Sequence, residues 1–442
     1  MASMPSERLL FINPPSPDGR VVIRDTNRSG RISSEGTIWP QVGLAMLASV
    51  FVDDDVKIVD CIAERIGYLR IFEIMKEFRP SWVIFNPISS TFTHDTIISC
   101  YAKSINANTV AISPAIQGMT KEELHDRFPT IDHTLDYKKG GLEPEYQLYR
   151  LVRGNGFESR KFEDLPPARQ DLLPIGKYRL PFIGSNYTFI IQSRGCPWKC
   201  IYCRQGATWK NRVRYRSVES VVEELRRYGI KNFAFHSDTF TLSKEWVMDF
   251  CRQAPMGVKW ICNSRVDTVD LEMLRAMKKA GCWMICYGIE SGNNEVLAKN
   301  KKGATCEQAI RAISLTRAAG IKSWGYFMLG LFGDTIETME QTIQFALRLP
   351  LAIANFSISA PYPGTKWHEI AKSRSWLRAD DLESYDQNYS AICDQPRCHS
   401  SIVKRYQKRA YRRWYLSRRG FSFLWEAIKS PRFFLDLIKN NL

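Results

Sequence analysis

Three times in the second half of the chain a helical pattern ends on a glycine and passes directly into an apolar run: Tyr228-Gly229, Ala280-Gly281 and Ala319-Gly320. Glycine in that place is the left-handed cap of a helix that turns straight into a strand. Strands joined through helices run parallel, because only a long crossover returns the chain to the same edge. The pattern predicts strands over 188–192, 232–235, 259–262, 283–287, 323–328 and 353–357, six βα units with no antiparallel insertion. Such a run builds a partial (β/α)6 barrel, whose chemistry gathers at the carboxyl ends of its strands.

The first 140 residues alternate with a different rhythm. Runs 8–12, 55–60, 82–89 and 109–113 read as strands, and 43–51, 69–78, 95–104 and 121–128 as the helices between them. This is the pattern of a Rossmann-like doubly wound parallel sheet, which binds ligands beyond the carboxyl ends of its strands. Pro166-Pro167 and Pro174 interrupt any regular element before 186. The α/β chain therefore divides into a Rossmann-like domain (1–153), a linker (154–185), the partial barrel (186–385) and a short helical C-terminal region (386–442).

With 442 residues, 44% hydrophobic and 24% charged, the chain is long enough to bury two or three cores, and disordered and fibrous classes are excluded. Sixty-two Lys and Arg against 46 Asp and Glu leave a net charge of +16. Residues 401–442 carry eleven of those cations against Glu426 and Asp436, so the body is only mildly basic. The opening residues hold no apolar core of a signal peptide. The longest apolar run, 42–52, is shorter than the roughly 20 residues a membrane-spanning helix needs, and a cytoplasmic protein is expected.

Twelve cysteines are spread through the chain, and one cluster is tight: Arg194-Gly195-Cys196-Pro197-Trp198-Lys199-Cys200-Ile201-Tyr202-Cys203, directly after the first barrel strand. Three thiolates at C-x3-C-x2-C hold three irons of a four-iron cluster and leave the fourth open for chemistry. Zinc is the rival ion. It asks for four protein ligands, for which Cys393 or Cys398 would have to come from a distance.

This motif at this place resembles the signature of the radical S-adenosylmethionine (SAM) enzymes, with Tyr202 at the family's aromatic position. The resemblance implies a [4Fe-4S] cluster on Cys196, Cys200 and Cys203, SAM chelated at the open iron, and a 5′-deoxyadenosyl radical. It covers residues 186 to about 365 and extends to later strand ends. Asp238 falls where the family holds the methionine amino group, and Ser264-Arg265 where a guanidinium meets the methionine carboxylate. Glu290-Ser291-Gly292 matches the SAM-contacting loop, Gly292 admitting backbone to the ligand. Plainer roles exist: a helix N-cap for Asp238 and a salt bridge for Arg265. Gly330-Leu331-Phe332-Gly333-Asp334-Thr335 resembles a Gly-Leu-Pro-Gly-Glu-Thr turn near the adenine.

Asn13-Pro14-Pro15, the helix start Pro40 to Ala48 and Ile58-Val59-Asp60 are similar to the first domain of the cobalamin-dependent branch. Asp-x-His-x-x-Gly is absent, which argues against a histidine on cobalt. Ser113-Pro114-Ala115 stands where that branch often has Gly-Gly-x-His. Ser89, Thr91 and Ser113 are the expected cofactor-lining residues, with an empty Rossmann-like domain as the alternative.

The resemblance thus implies a cobalamin-dependent C-methyltransferase acting on a lipid, tetrapyrrole or natural product, with oxidation, cyclisation or C–C coupling as the alternative. Flavodoxin or ferredoxin would supply the electron; the reacting residue of the substrate chemistry stays unassigned. The basic, aromatic-rich tail from Lys404 reads either as a peripheral membrane contact or as helices capping the barrel, the latter slightly favoured. Nucleic acid is not an expected partner, although an RNA-binding or membrane-surface protein is the alternative of another class.

Overall fold

An apolar run with no alternation, such as 9–12, fits a strand covered on both faces, and in the computed structural model of the chain these four residues are fully buried. Described are residues 6–26, 30–33, 36–116, 119–135, 142–154, 161–179, 186–209, 211–379 and 381–420. Two compact units result, Met1–Ser33 with Ile38–Arg179 and Ser34–Thr37 with Leu180–Leu442.

The first unit contains β1 (Arg8–Asn13), a small antiparallel pair β2 (Val22–Ile23) and β3 (Arg31–Ile32), then β4 (Asp55–Asp60), β5 (Trp82–Phe85), β6 (Asn108–Ala111) and β7 (His133–Thr134). The main sheet is parallel in the order β4-β1-β5-β6-β7. The chain leaves β1 toward β4 on one side and later returns to β5 on the other, so the topological switch lies between β1 and β5. The expected strand 82–89 stops at Phe85; residues 86–88 are irregular and lead into a 3-10 turn, Ser89–Thr91. Two-residue β7 and the amphipathic helix Pro144–Arg153 were not anticipated.

The segment read as a linker belongs largely to this unit. Phe162, Leu165, Ala168 and Tyr178 are buried, the Arg169 amide donates to the Ala45 carbonyl, and the Tyr178 hydroxyl donates to Asp60 at 2.7 Å. Prolines stop regular structure here without stopping burial.

The second unit contains β8 (Thr188–Ile190), β9 (Ser193–Arg194), β10 (Arg214–Tyr215), β11 (Asn232–Phe235), β12 (Lys259–Arg265), β13 (Cys282–Glu290), β14 (Lys322–Leu329) and β15 (Ile353–Ile358). All but β9 and β10 form one parallel sheet in chain order, the topology expected of a partial barrel. Helices between them start on side-chain caps, Ser217, Ser243, Asp270, Asn293, Thr305, Thr335 and Thr365 among them. The expectation of no antiparallel insertion fails: β9 and β10 pair antiparallel and close the base of the cysteine loop.

Helix Ser400–Tyr415 buries Val403, Ala410, Tyr411, Trp414 and Tyr415. Its Gln407 and Tyr411 bond the backbone of Phe356 on edge strand β15. Arg409 and Arg413 reach Glu340, while Lys404, Arg405, Lys408 and Arg412 are exposed. This part of the tail caps the sheet edge; the aromatic stretch from 421 lies outside the described residues, as do Gln117 and Gly118. Among the described residues no helix is long and apolar enough to cross a membrane.

Candidate active site

Glycine opens the cysteine loop because nothing else fits. Gly195 has φ +93°, and a Cβ there would stand 1.8 Å from the Arg212 carbonyl oxygen. From that point the loop is held by backbone and amide bonds: Asn211 Nδ2 donates to the Cys196 and Trp198 carbonyls at 3.3 and 2.7 Å. The Ile201 amide donates to the Asn300 carbonyl, and the Trp367 amide to that of Ile201. Asn300 in turn donates through Nδ2 to the Phe332 carbonyl at 2.9 Å, tying the cysteine loop to the glycine turn after β14. Sequence reasoning passed over Asn211 and Asn300, since buried amides in loops carry no local signature.

Cys196, Cys200 and Cys203 are half-buried free thiols whose charges act on one another. Burial pushes the Cys196 thiol up, with Asp238 and Cys200 adding to the shift and Arg265 opposing it. Burial, Cys200 and Asp238 push Cys203 up to about 12. Such thiols ionise only when a cation joins them.

Among the described residues no three His, Cys, Asp or Glu side chains are placed to share one metal ion. A four-iron cluster binds each thiolate to a different iron, so its thiolates stand further apart than the ligands of a single zinc ion. Cys393 packs in an apolar cluster with Ile201, Trp367 and Ala371, and Cys398 lies against the Met339 sulfur at 3.8 Å.

Asp238, Arg265 and Glu290, from three different strand ends, all act on this loop. Asp238 raises both Cys196 and Cys203, and Glu290 raises the buried Tyr202 phenol after burial itself. The N-cap positions after β11 are held by Thr239 and Ser243, not by Asp238. Arg265 and Glu290 are the last residues of their strands, which run further than expected. A register shift between Gly288 and Glu290 accompanies the left-handed φ of Glu290, +70°. Lys302 Nζ then binds Glu290 Oε1 at 2.9 Å.

Four of the expected residues already have protein partners. Arg265 does not present an open fork. Its Nε and Nη2 bind Asp267 at 2.9 and 2.7 Å, and Nη2 also donates to the Lys302 carbonyl. Ser264 is buried in a hydroxyl network with Thr241 and Thr268. Ser291 bonds the Thr342 hydroxyl at 3.2 Å. The bare backbone of Gly292 admits a neighbouring helix: a Cβ would meet Phe345 Cβ at 2.6 Å and the Gln341 carbonyl at 2.8 Å.

The turn after β14 is tight as expected, with φ +79° at Gly330 and +82° at Gly333. Gln395 braces it from afar, accepting from the Gly333 amide at 2.8 Å and donating to the Gly330 and Leu331 carbonyls. Asp334, buried, accepts from the Leu331 amide and the Thr338 hydroxyl, and burial pushes its carboxyl up to about 6.

In the first unit, Thr91 gives its hydroxyl to Asp95 at 2.8 Å, and Asp95 forms a fully buried ion pair with Arg24. Ser113 accepts from the Ala115 amide, and Ser89 is buried in the 3-10 turn. Thr91 also accepts from Arg24, whereas Ser113 bonds within its own loop. The Oδ1 atoms of Asn13 and Asn86 and the Ser90 hydroxyl are instead buried with no hydrogen-bond partner.

The family model described as the radical SAM superfamily matches residues 190–346. A Pyrococcus horikoshii protein described as an uncharacterized methyltransferase is 31% identical over 410 residues, covering 86% of this chain and 89% of its own. The chain belongs to the radical SAM superfamily. Two solved radical SAM proteins share its fold. TsrM from Kitasatospora setae, a methyltransferase with cobalamin and a [4Fe-4S] cluster bound, superposes with a TM-score of 0.61 at 18% identity over 85% of this chain and 80% of its own. OxsB, a cobalamin-dependent enzyme with aqua-cobalamin and SAM bound, gives 0.66 at 14% identity over 97% and 72%. This radical SAM enzyme therefore has the expected α/β architecture, and its superfamily implies SAM and a [4Fe-4S] cluster as cofactors.

Proposed function

We propose that this radical SAM enzyme binds its [4Fe-4S] cluster through Cys196, Cys200 and Cys203 and methylates an unactivated carbon with the help of cobalamin. The observation that carries the cluster assignment is a single loop bearing three free thiols, with the Arg265 guanidinium 4.0 Å from the centroid of its Trp198 ring. When bound, the cluster supplies the electron that cleaves SAM, and the corrin supplies the transferable methyl group.

The chain's own residues bind and orient. Asp238 offers a carboxylate to the methionine ammonium. Arg265, already paired with Asp267, contributes positive charge and holds the loop. Gln395 and Asp334 keep the Gly330–Gly333 turn in shape for the adenine. Residues at the β1 and β5 ends fit a cofactor rich in hydrogen-bond donors, because Asn13 Oδ1, Asn86 Oδ1 and Ser90 Oγ are orphaned there. The relative matched over 86% of this chain is described as a methyltransferase, which supports methyl transfer; those matched over about half of it include both methyltransferases and magnesium-protoporphyrin IX monomethyl ester cyclases.

The test uses anaerobic protein reconstituted with iron and sulfide. One four-iron spectrum per chain is expected, lost in each of Cys196→Ala, Cys200→Ala and Cys203→Ala together with 5′-deoxyadenosine formation. Methyl-labelled SAM should yield labelled product with both 5′-deoxyadenosine and S-adenosylhomocysteine. Three single variants that keep cluster and cleavage overturn the ligand assignment; 5′-deoxyadenosine without label transfer overturns methylation. The reading also carries a small substrate, a flavodoxin- or ferredoxin-like electron donor and a cytoplasmic setting. Salt-sensitive flotation with anionic liposomes decides whether the exposed cations of helix Ser400–Tyr415 touch a membrane.

A further inference from the structure

β1 and β5 are parallel neighbours whose last paired residues are Ile12 and Phe85. The next residues, Asn13 and Asn86, therefore stand side by side at the carboxyl ends of adjacent strands, at the switch point of the sheet. Both are buried, at 1% and 0% exposure.

The bonding around each amide decides which way it faces. Gln41 Nε2 lies against two backbone carbonyls, those of Arg24 and Trp39, so that atom must be the nitrogen. Its oxygen accepts from Asn86 Nδ2 at 2.8 Å. Asp60 Oδ1 accepts from the Ile62 and Ala63 amides, so it also accepts from Asn13 Nδ2, at 2.6 Å. Each asparagine has its nitrogen committed and its Oδ1 left buried with no donor. Orphaned buried acceptors are rare in folded proteins, and two on neighbouring strand ends call for donors.

Charge narrows the class of donor. Among the described residues, the Arg24 guanidinium at these loops is spent on Asp95, the Pro14 and Pro15 carbonyls and Thr91. Asp60 lies one hydrogen bond behind Asn13. Two carbonyl oxygens backed by a carboxyl group repel phosphate and welcome neutral N–H groups.

We infer that Asn13 and Asn86 are a paired acceptor site that reads the primary carboxamide arms of a corrin, and that this crevice does not take a phosphate. The inference rests on the cobalamin reading above and deepens it to two residues. Atoms outside the pair contribute as well: Ser90 Oγ is a third orphan on the loop after β5.

Visible-absorbance titration of the full, cluster-loaded chain tests it with four probes. Hydroxocobalamin and dicyanocobinamide both carry amide arms, the second without the nucleotide tail. Cobyrinic acid heptamethyl ester replaces each arm by an ester with no N–H. Flavin mononucleotide carries a phosphate. The two amide corrins should bind, the ester about tenfold or more weakly, and the flavin not at all. Asn86→Leu and Asn13→Leu should each weaken hydroxocobalamin about tenfold with cluster content unchanged.

Equal binding of amide and ester by the wild-type chain overturns the inference while leaving cobalamin binding intact. So do variants that lower the melting temperature but bind corrin as before, the result expected if one enclosed water bridges the two oxygens. No uptake of either amide corrin overturns the cobalamin reading and this inference together.

Discussion

The Arg265 guanidinium lies 4.0 Å from the centroid of the Trp198 ring, joining the end of β12 to the middle of the cysteine loop. The same guanidinium is clamped by Asp267 and the Lys302 carbonyl, so one side chain holds the loop to two neighbouring strand ends. Lysine keeps the charge but can neither stack as a plane nor fill the fork. Arg265→Lys should therefore lower SAM affinity about tenfold and also shorten the lifetime of the reconstituted cluster in air, which loss of a remote salt bridge would leave unchanged. Equilibrium binding and the decay of cluster absorbance check the two effects.

Gln395 supplies three bonds to the Gly330–Gly333 turn from 62 to 65 residues away. Gln395→Ala leaves buried carbonyls without donors and should cost about 1–3 kcal/mol, measured by denaturant unfolding. A KM for SAM that rises while cluster content stays constant would mark the turn as part of the cosubstrate site.

Gly292→Ala drives a methyl group into helix Ile336–Arg348, where Phe345, Gln341 and Thr342 all stand within 3 Å of the new carbon. The expected loss is about 1–3 kcal/mol of stability. Because the conflict is with a helix, added SAM should not rescue the variant in thermal melts.

Asp334 makes stability depend on acidity. Burial raises its folded pKa to about 6 from the ordinary 3.8, so the folded state favours the protonated form. The contribution is complete below the unfolded value and is lost as pH rises through about 6. The loss between pH 4 and 6 is on the order of 2 kcal/mol. Asp334→Asn should flatten that slope in urea melts recorded across the window.

Much of this fold is local and was legible. Glycine ends at 229, 281 and 320 set the αβ turns, and apolar runs set the strands between them. The cysteine spacing lies within eight residues, so one loop carries it wherever the loop goes. Side-chain caps such as Ser217 and Thr305 bind amides three residues on and likewise need no tertiary context.

What tertiary structure alone decided involves partners distant in sequence. Sequence placed Arg265 and Gly292 at the right strand ends and assigned both to a ligand; packing gave Arg265 to Trp198 and Asp267 and gave Gly292 to a helix fifty residues on. Register between β1 and β5 likewise sets Asn13 and Asn86 side by side, while Thr91 bonds Asp95 and the distant Arg24 and Ser113 bonds within its own loop. Local propensity fixes where a side chain leaves the backbone. Which neighbour satisfies it depends on contacts made only after the sheets assemble, and a buried polar group takes the partner that removes it from water at least cost.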